Sequence, residues 1–282
     1  MSDELHTVRL DRNAAVLCIT LNRPAVLNAM SDAMMLELRA ALRMAHDDAS
    51  IRAVLLRGEG RGFSAGADLA ESNFATQPPP FGEASRGTVD EQRQSPSHAV
   101  GTKLRQLYHP VILAMRSLPK PIVTAVQGVA AGAGMSLALA GDIILCSASA
   151  TFVQAFAKIG LIPDAGSTWL LPRLVGEAKA RALMLLAERI SAEEAERIGL
   201  VYKVLPDKDL EDFSMRTAQD LATMPTLAYA LTKEALAQTF QRELSEQLEL
   251  EAQLQAKAAA SEDCREGIRA FLEKRPPLFT GR

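Results

Sequence analysis

Three short segments of this 282-residue chain set small residues where a loop runs into a helix, and each holds groups able to do chemistry. The first is Gly60-Arg61-Gly62-Phe63-Ser64-Ala65-Gly66-Ala67-Asp68-Leu69, just after the apolar run Ala53 to Leu56. Small side chains let a ligand approach the backbone closely. N–H groups at such a junction point outward without intrahelical partners and favour an anion or a developing negative charge. Asp68 suits the N-cap of a helix that follows. The second segment, Gln127-Gly128-Val129-Ala130-Ala131-Gly132-Ala133-Gly134-Met135-Ser136-Leu137, repeats the pattern: a strand enters a run of Gly and Ala that opens a helix. The third is Gly160-Leu161-Ile162-Pro163-Asp164-Ala165-Gly166-Ser167-Thr168-Trp169. Pro163 stiffens its turn, and Asp164 stands where a helix would begin. A positioned carboxylate is an acid–base group, yet on spacing alone Asp164 reads first as an N-cap. The first segment reads equally well as a glycine-rich connection that holds no ligand.

Rival chemistries fail on context. Gly62-Phe63-Ser64-Ala65-Gly66 is a literal G-x-S-x-G, but the nucleophile elbow of a serine hydrolase follows its strand at once. Here Gly58 to Arg61 intervene, and no histidine follows His109 to complete a triad. A dinucleotide-binding loop would need glycine at Leu137 and an acid about twenty residues on, whereas Asp142 comes too soon. The four histidines (His6, His46, His98, His109) lack metal-ligand spacing, and no metal site is expected. Cys18, Cys146 and Cys264 lie far apart and are odd in number, which fits free thiols in a reducing compartment. Net charge is −3 with mixed signs, without the basic patch of a nucleic-acid surface. Met1 to Leu10 lacks the pattern of a secretory signal, and Val129 to Cys146 is interrupted by Gly132, Gly134, Gly141 and Asp142. The expectation is a soluble, cytoplasmic protein with no membrane partner.

The elements that must position these segments follow from periodicity. Ala15 to Leu21 reads as a strand closed by Asn22-Arg23-Pro24, and Ser31 as the N-cap of a helix to about His46 with Met35, Leu38, Leu42 and Ala45 on one face. Ala53 to Leu56 is a buried strand. The polar, Pro-rich stretch from about Glu71 to His98 reads as a loop or lid. Lys103 to Leu118 has helical spacing, Ile122 to Val126 and Ile143 to Cys146 are strands, and Ser191-Ala192-Glu193-Glu194 is a capping box. Val201 to Leu205 is a strand, and nearly everything after Asp207 is helical, with a break at Met224-Pro225.

In that order these segments resemble the crotonase superfamily, the enoyl-CoA hydratase/isomerase family. The resemblance runs from Leu21-Asn22-Arg23-Pro24-Ala25-Val26-Leu27-Asn28-Ala29 through Phe63 to Asp68, Gly128 to Asp142 and the Ser191 segment to Glu266-Gly267-Ile268-Arg269-Ala270-Phe271-Leu272-Glu273-Lys274-Arg275-Pro276. It implies an α/β fold, a spiral of β-β-α units over residues 1–206 holding the coenzyme A (CoA) and active sites. A helical region, residues 207–282, would drive assembly into a homotrimer or a dimer of trimers. It also implies an acyl-CoA thioester as substrate and no cofactor beyond the CoA that the substrate carries.

By position, Ala67 and Ala133 match the two residues whose backbone N–H groups form the family's oxyanion hole. Ala65, Asp68 and Leu69 fall with the CoA pocket, Ala25 and Val26 with the loop beyond the nucleotide, and Phe271 and Lys274 with C-terminal residues that approach CoA, from a neighbouring subunit in some members. Family hydratases resemble one another in two glutamates that hold and activate water. Ser136 and Phe156 stand at those positions here, and neither is an efficient acid–base group. Asp164, after Pro163, matches the single acid of family isomerases, and Gly-Leu-Ile-Pro-Asp-x-Gly-x-Thr-Trp-Leu-Leu-Pro-Arg is close to the ring-1,2-epoxyphenylacetyl-CoA isomerases. The resemblance therefore implies an acyl-CoA isomerase with Asp164 as its base, and as the alternative an enoyl-CoA hydratase with a non-standard acid–base set. Ser167 departs from the glycine of many relatives in the turn that would aim Asp164.

Overall fold

The computed structural model describes residues 7–71 and 96–282. Its main sheet runs in the order β1 (Val8–Asn13), β2 (Val16–Leu21), β3 (Ala53–Gly58), β4 (Ile122–Val126), β6 (Ile143–Ser147) and β9 (Lys203–Leu205). β1 pairs antiparallel with β2, and the remaining pairs are parallel. Parallel neighbours need a long crossover, and here the crossovers carry the helices and loops that build the site. A second, three-stranded sheet takes β5 (Val129–Ala131), β7 (Thr151–Val153) and β8 (Ile190–Ser191).

The apolar runs of the central strands follow from burial on both faces, as parallel sheets require. Leu17, Ile19, Val54, Leu56, Ile122 and Val126 face one core, which the helix Asp32–Asp47 covers with Met34, Met35, Leu38, Ala41, Leu42 and Ala45. The alternate residues Val16, Cys18, Ala53, Leu55, Val123 and Ala125 face a second core. It is closed by Leu210, Ala218 and Ala222 of the helix Leu210–Thr223, so the first helix after residue 207 packs as part of the sheet's own core. Ser31 caps the helix Asp32–Asp47 by accepting a hydrogen bond from Met34 N–H at 3.1 Å, as its spacing predicts.

Several expectations change in detail. β1 lacks the signal of a buried strand because Arg9, Asp11, Arg12 and Asn13 are exposed, which suits a sheet edge. The helix expected over Lys103 to Leu118 begins earlier and is divided: Pro96–Lys103, a π turn at Leu104–Tyr108, then His109–Ser117. After Asp68 the chain makes a turn through Leu69 to Glu71. The course of the helix expected there, and most of the Glu71 to His98 stretch, lie outside the described residues. Ser191 accepts from Glu194 N–H at 3.2 Å, whereas the Glu194 carboxylate takes Arg197 and Lys179 instead of closing a capping box. The chain ends in the helices Thr226–Gln238, Leu244–Ala259 and Glu262–Glu273. Among the described residues no helix is long and apolar enough to cross a membrane.

Candidate active site

Two isolated parallel bridges place the first segment. Ser64 bridges Ala130 of β5, with Ser64 N–H donating to Val129 O at 3.1 Å and Ala131 N–H to Ser64 O at 2.9 Å. Ala67 bridges Met30, with Met30 N–H donating to Gly66 O at 2.8 Å and Asp68 N–H to Met30 O at 3.0 Å. These bonds use the groups on either side of Ala67 and turn its own N–H away. Gly66 has a φ of +99°, and a Cβ there would stand 2.8 Å from Ala131 O and 3.6 Å from Ala133 N. Only glycine lets the two segments meet so closely.

The second segment ends β5 and enters the helix Ala133–Leu139, with Gly132 N–H held by Val153 O at 2.9 Å. Ala133 is the first helical residue, so its N–H has no intrahelical acceptor. Among the described residues, neither Ala67 N–H nor Ala133 N–H donates a hydrogen bond.

In the third segment, Ser167 N–H donates to Asp164 O at 3.0 Å, while Ala165 (φ 48°) and Gly166 (φ 84°) both lie in the left-handed region. This is a turn of the primed type. Ala165 is buried there and carries backbone strain of about 1 kcal/mol. Gly166 stands at the N-cap of the helix Ser167–Val175. Asp164 is therefore not the cap that its spacing suggests, and its carboxyl is left for another use. Its Oδ1 is buried without a hydrogen-bond partner among the described residues. Burial pushes the carboxyl up to about 6. Tyr108, buried beside it, has its hydroxyl raised by desolvation first and by the charge of Asp164 second.

These groups converge on a cavity of about 210 Å³. Ala65, Gly66, Ala67 and Leu69 form one wall, Gly132 and Ala133 a second, and Ala155, Phe156, Ile159, Leu161 and Asp164 a third. Leu104 and Tyr108 of the π turn close it, together with Val100, Lys103 and Lys158. Among the described residues, Asp164 is the only carboxylate in the lining.

Of the residues singled out from sequence, Ala65, Ala67, Leu69, Ala133, Phe156 and Asp164 thus share one cavity. Asp68 lies behind the wall, where it accepts from Arg23 Nη1 at 2.8 Å and from Ala70 N–H at 3.1 Å. Ser136 is fully buried and outside the lining, as is half-buried Pro163. Ala25 and Val26 sit in the exposed turn Pro24–Val26, and Phe271 and Lys274 are exposed at the end of the chain's last helix. None of these four lines the cavity in the protomer. Tyr108 and Leu104 were not singled out from sequence. A π turn adds a residue to a helical repeat and shifts the pocket-facing side without any marker in the residue types.

Among the described residues, the arrangement sets two unpaired N–H donors and one carboxyl of raised pKa around an apolar space. Preorganised amides stabilise charge developing on a carbonyl oxygen, and a carboxyl titrating near neutrality suits proton transfer. The family model for "Enoyl-CoA hydratase/isomerase" matches residues 11–282. The chain is 45% identical to a Rhodobacter capsulatus protein named "Probable enoyl-CoA hydratase", covering 98% of this chain and 99% of that one. It is 43% identical to the 1,2-epoxyphenylacetyl-CoA isomerase of Escherichia coli, covering 95% of each. A solved enoyl-CoA hydratase of Bacillus anthracis superposes with a TM-score of 0.83 at 32% identity, covering 98% of this chain and 100% of that one.

Proposed function

The chain belongs to the enoyl-CoA hydratase/isomerase family and has its crotonase fold, and on that premise we propose that it is an acyl-CoA isomerase whose single acid–base group is Asp164. In this reading the thioester oxygen sits against the N–H groups of Ala67 and Ala133. Asp164 takes a proton from carbon 2 or carbon 4, the enolate charge rests on the oxygen between the two amides, and the same carboxyl returns the proton to the other carbon. The outcome is a double bond moved between carbons 3 and 2. With a ring epoxide as the acyl group, the C–C bond shared by epoxide and ring also breaks to open an oxepin, and the proton from carbon 2 returns to a ring carbon. The second outcome draws support from the likeness to the E. coli epoxyphenylacetyl-CoA isomerase.

One observation carries the choice of isomerase over hydratase: a single carboxylate lines the cavity among the described residues. Water addition uses one group to hold and deprotonate water and another to protonate carbon 2, and Phe156 in the wall supplies neither. The CoA moiety extends past Ala65 and Leu69, and Ala25, Val26, Phe271 and Lys274 contribute from the surface or from a neighbouring subunit of a trimer. The exposed Leu236, Phe240, Leu244, Phe271 and Leu272 of the C-terminal helices support such assembly. Proton transfer of this kind requires no group beyond the substrate's own CoA.

In deuterium oxide the protein should incorporate deuterium at carbon 2 of trans-3-hexenoyl-CoA and convert it faster than it hydrates crotonyl-CoA. Asp164→Asn should slow incorporation by at least about 100-fold while still binding butyryl-CoA. Exchange near the wild-type rate in this variant overturns the base assignment, and dominant hydration of crotonyl-CoA overturns the isomerase reading.

A further inference from the structure

Ser136 holds no place in the cavity wall, yet its hydroxyl touches both halves of the site. Its Oγ lies 3.3 Å from Gly132 O, at the head of the helix whose first N–H is that of Ala133, and 3.0 Å from Asp164 O. It also lies 2.8 Å from Ser167 Oγ, which accepts from Gln154 Nε2 at 2.9 Å. Ser136, Ser167 and Gln154 are all buried, so each hydroxyl proton must find a protein acceptor.

Proton counting gives the chain a direction. The Gln154 Nε2 atom can only donate, so Ser167 Oγ is the acceptor of that bond and passes its own proton to Ser136. The Ser136 proton then goes to the Asp164 carbonyl, its shorter main-chain contact. That carbonyl also receives the Ser167 N–H, so the peptide plane following Asp164 is held by two donors. The turn needs such a hold because Ala165 keeps a left-handed conformation that L-residues disfavour.

We infer that Ser136 is a positioning residue: its hydroxyl clamps the strained Asp164–Ser167 turn to the helix that carries the Ala133 amide, and so sets where the carboxyl stands relative to the oxyanion hole. The inference rests on the reading of Asp164 as the base. It also explains the departure at Ser167, since a glycine there would break the relay from Gln154 to Ser136.

The test compares wild type, Ser136→Ala, Ser167→Ala and Asp164→Asn with trans-3-hexenoyl-CoA as substrate and butyryl-CoA as binding probe. A small displacement of a reacting group costs on the order of 100-fold in rate. Ser136→Ala should accordingly lower kcat by about 10- to 100-fold while the Kd for butyryl-CoA stays within about twofold. A loosened turn also lets water reach the carboxyl, so the acid limb of kcat/KM should move to lower pH, a shift that a merely structural serine would not produce. Ser167→Ala, which removes the middle link, should give a smaller loss of the same kind, and it carries the test where Ser136→Ala fails to fold. Unchanged kcat in the folded variant, or a loss appearing equally in Kd with the acid limb unmoved, overturns the inference. Full activity in Asp164→Asn would remove the base assignment and the clamp together, whereas an inactive Asp164→Asn beside an unimpaired Ser136→Ala removes the clamp alone.

Discussion

Two aspartates, one following the second small-residue segment and one inside the third, have opposite fates. Asp142 comes after the helix Ala133–Leu139 and is tied down by donors: its Oδ2 accepts from Ile122 N–H at 2.8 Å and Lys233 Nζ at 2.7 Å, with Arg116 Nη1 at 3.9 Å from Oδ1. Asp164 comes before the helix Ser167–Val175 and has a buried oxygen that no described residue meets. Its main-chain carbonyl, by contrast, takes two donors. The backbone of Asp164 is thus fixed while its carboxyl stays unspent. A structural carboxylate is recognised by what it is bonded to, and the candidate functional one by the donors withheld from it.

Exchanging the two side chains for amides is the sharpest way to break this comparison. Asp164→Asn should lower carbon-2 exchange by about 10²- to 10⁴-fold, the usual contribution of a positioned general base. In Asp142→Asn, exchange per folded molecule should be unchanged. If Asp142→Asn proves the more damaging to turnover, the contrast between the two sites is wrong.

The next effect is on stability and should run the other way. Replacing Asp142 leaves the mostly buried ammonium of Lys233 without its counter-ion; burial already lowers the pKa of that lysine, and the Asp142 carboxylate opposes this. Urea denaturation should show a loss of about 3 kcal/mol, as for breaking a largely buried pair from one side, together with a Lys233 that gives up its proton more readily.

A third effect concerns pH. Because burial raises Asp164 to about 6, the carboxylate needed to accept a proton is depleted below that value. The value of kcat/KM should fall about tenfold per pH unit on the acid side, and a limb near an ordinary carboxylate value of about 4 would show that the carboxyl is solvated.

The smallest effect is on the thermal midpoint. The folded Asp164 binds its proton more tightly than the unfolded one, so its unfavourable contribution sets in as pH rises from the unfolded value through about 6 and is complete above it. Asp164→Asn, neutral throughout, should therefore gain on wild type by on the order of 2 °C at pH 8 and by less at pH 5. An equal difference at both pH values would detach the effect from titration.

Much of the scaffold is legible in residue order. The near-continuous apolar runs Val16 to Leu21 and Ala53 to Leu56 mark strands buried on both faces, Ser31 marks a helix start, and the glycines near Ala67 and Ala133 mark places of close backbone approach. β1 is obscured because an exposed edge needs few apolar residues. Tyr108 and Leu104 reach the cavity through a π turn that leaves no periodic trace. Ser136 and Phe156, which the resemblance pairs, part in the fold: one is walled in by Ser167 and Asp164 O while the other lines the space.

What residue order determined by itself is local: which runs are strands, where small residues let the backbone be approached closely, and that an aspartate follows Pro163. Whether an amide stays unpaired or a carboxyl loses its donors depends on groups far along the chain. Met30 must use Gly66 O and Asp68 N for Ala67 N–H to be free, and Gly166 must take the helix cap for the Asp164 side chain to turn inward. Hydrogen-bond satisfaction and desolvation are properties of the packed neighbourhood, so only the tertiary structure could decide them.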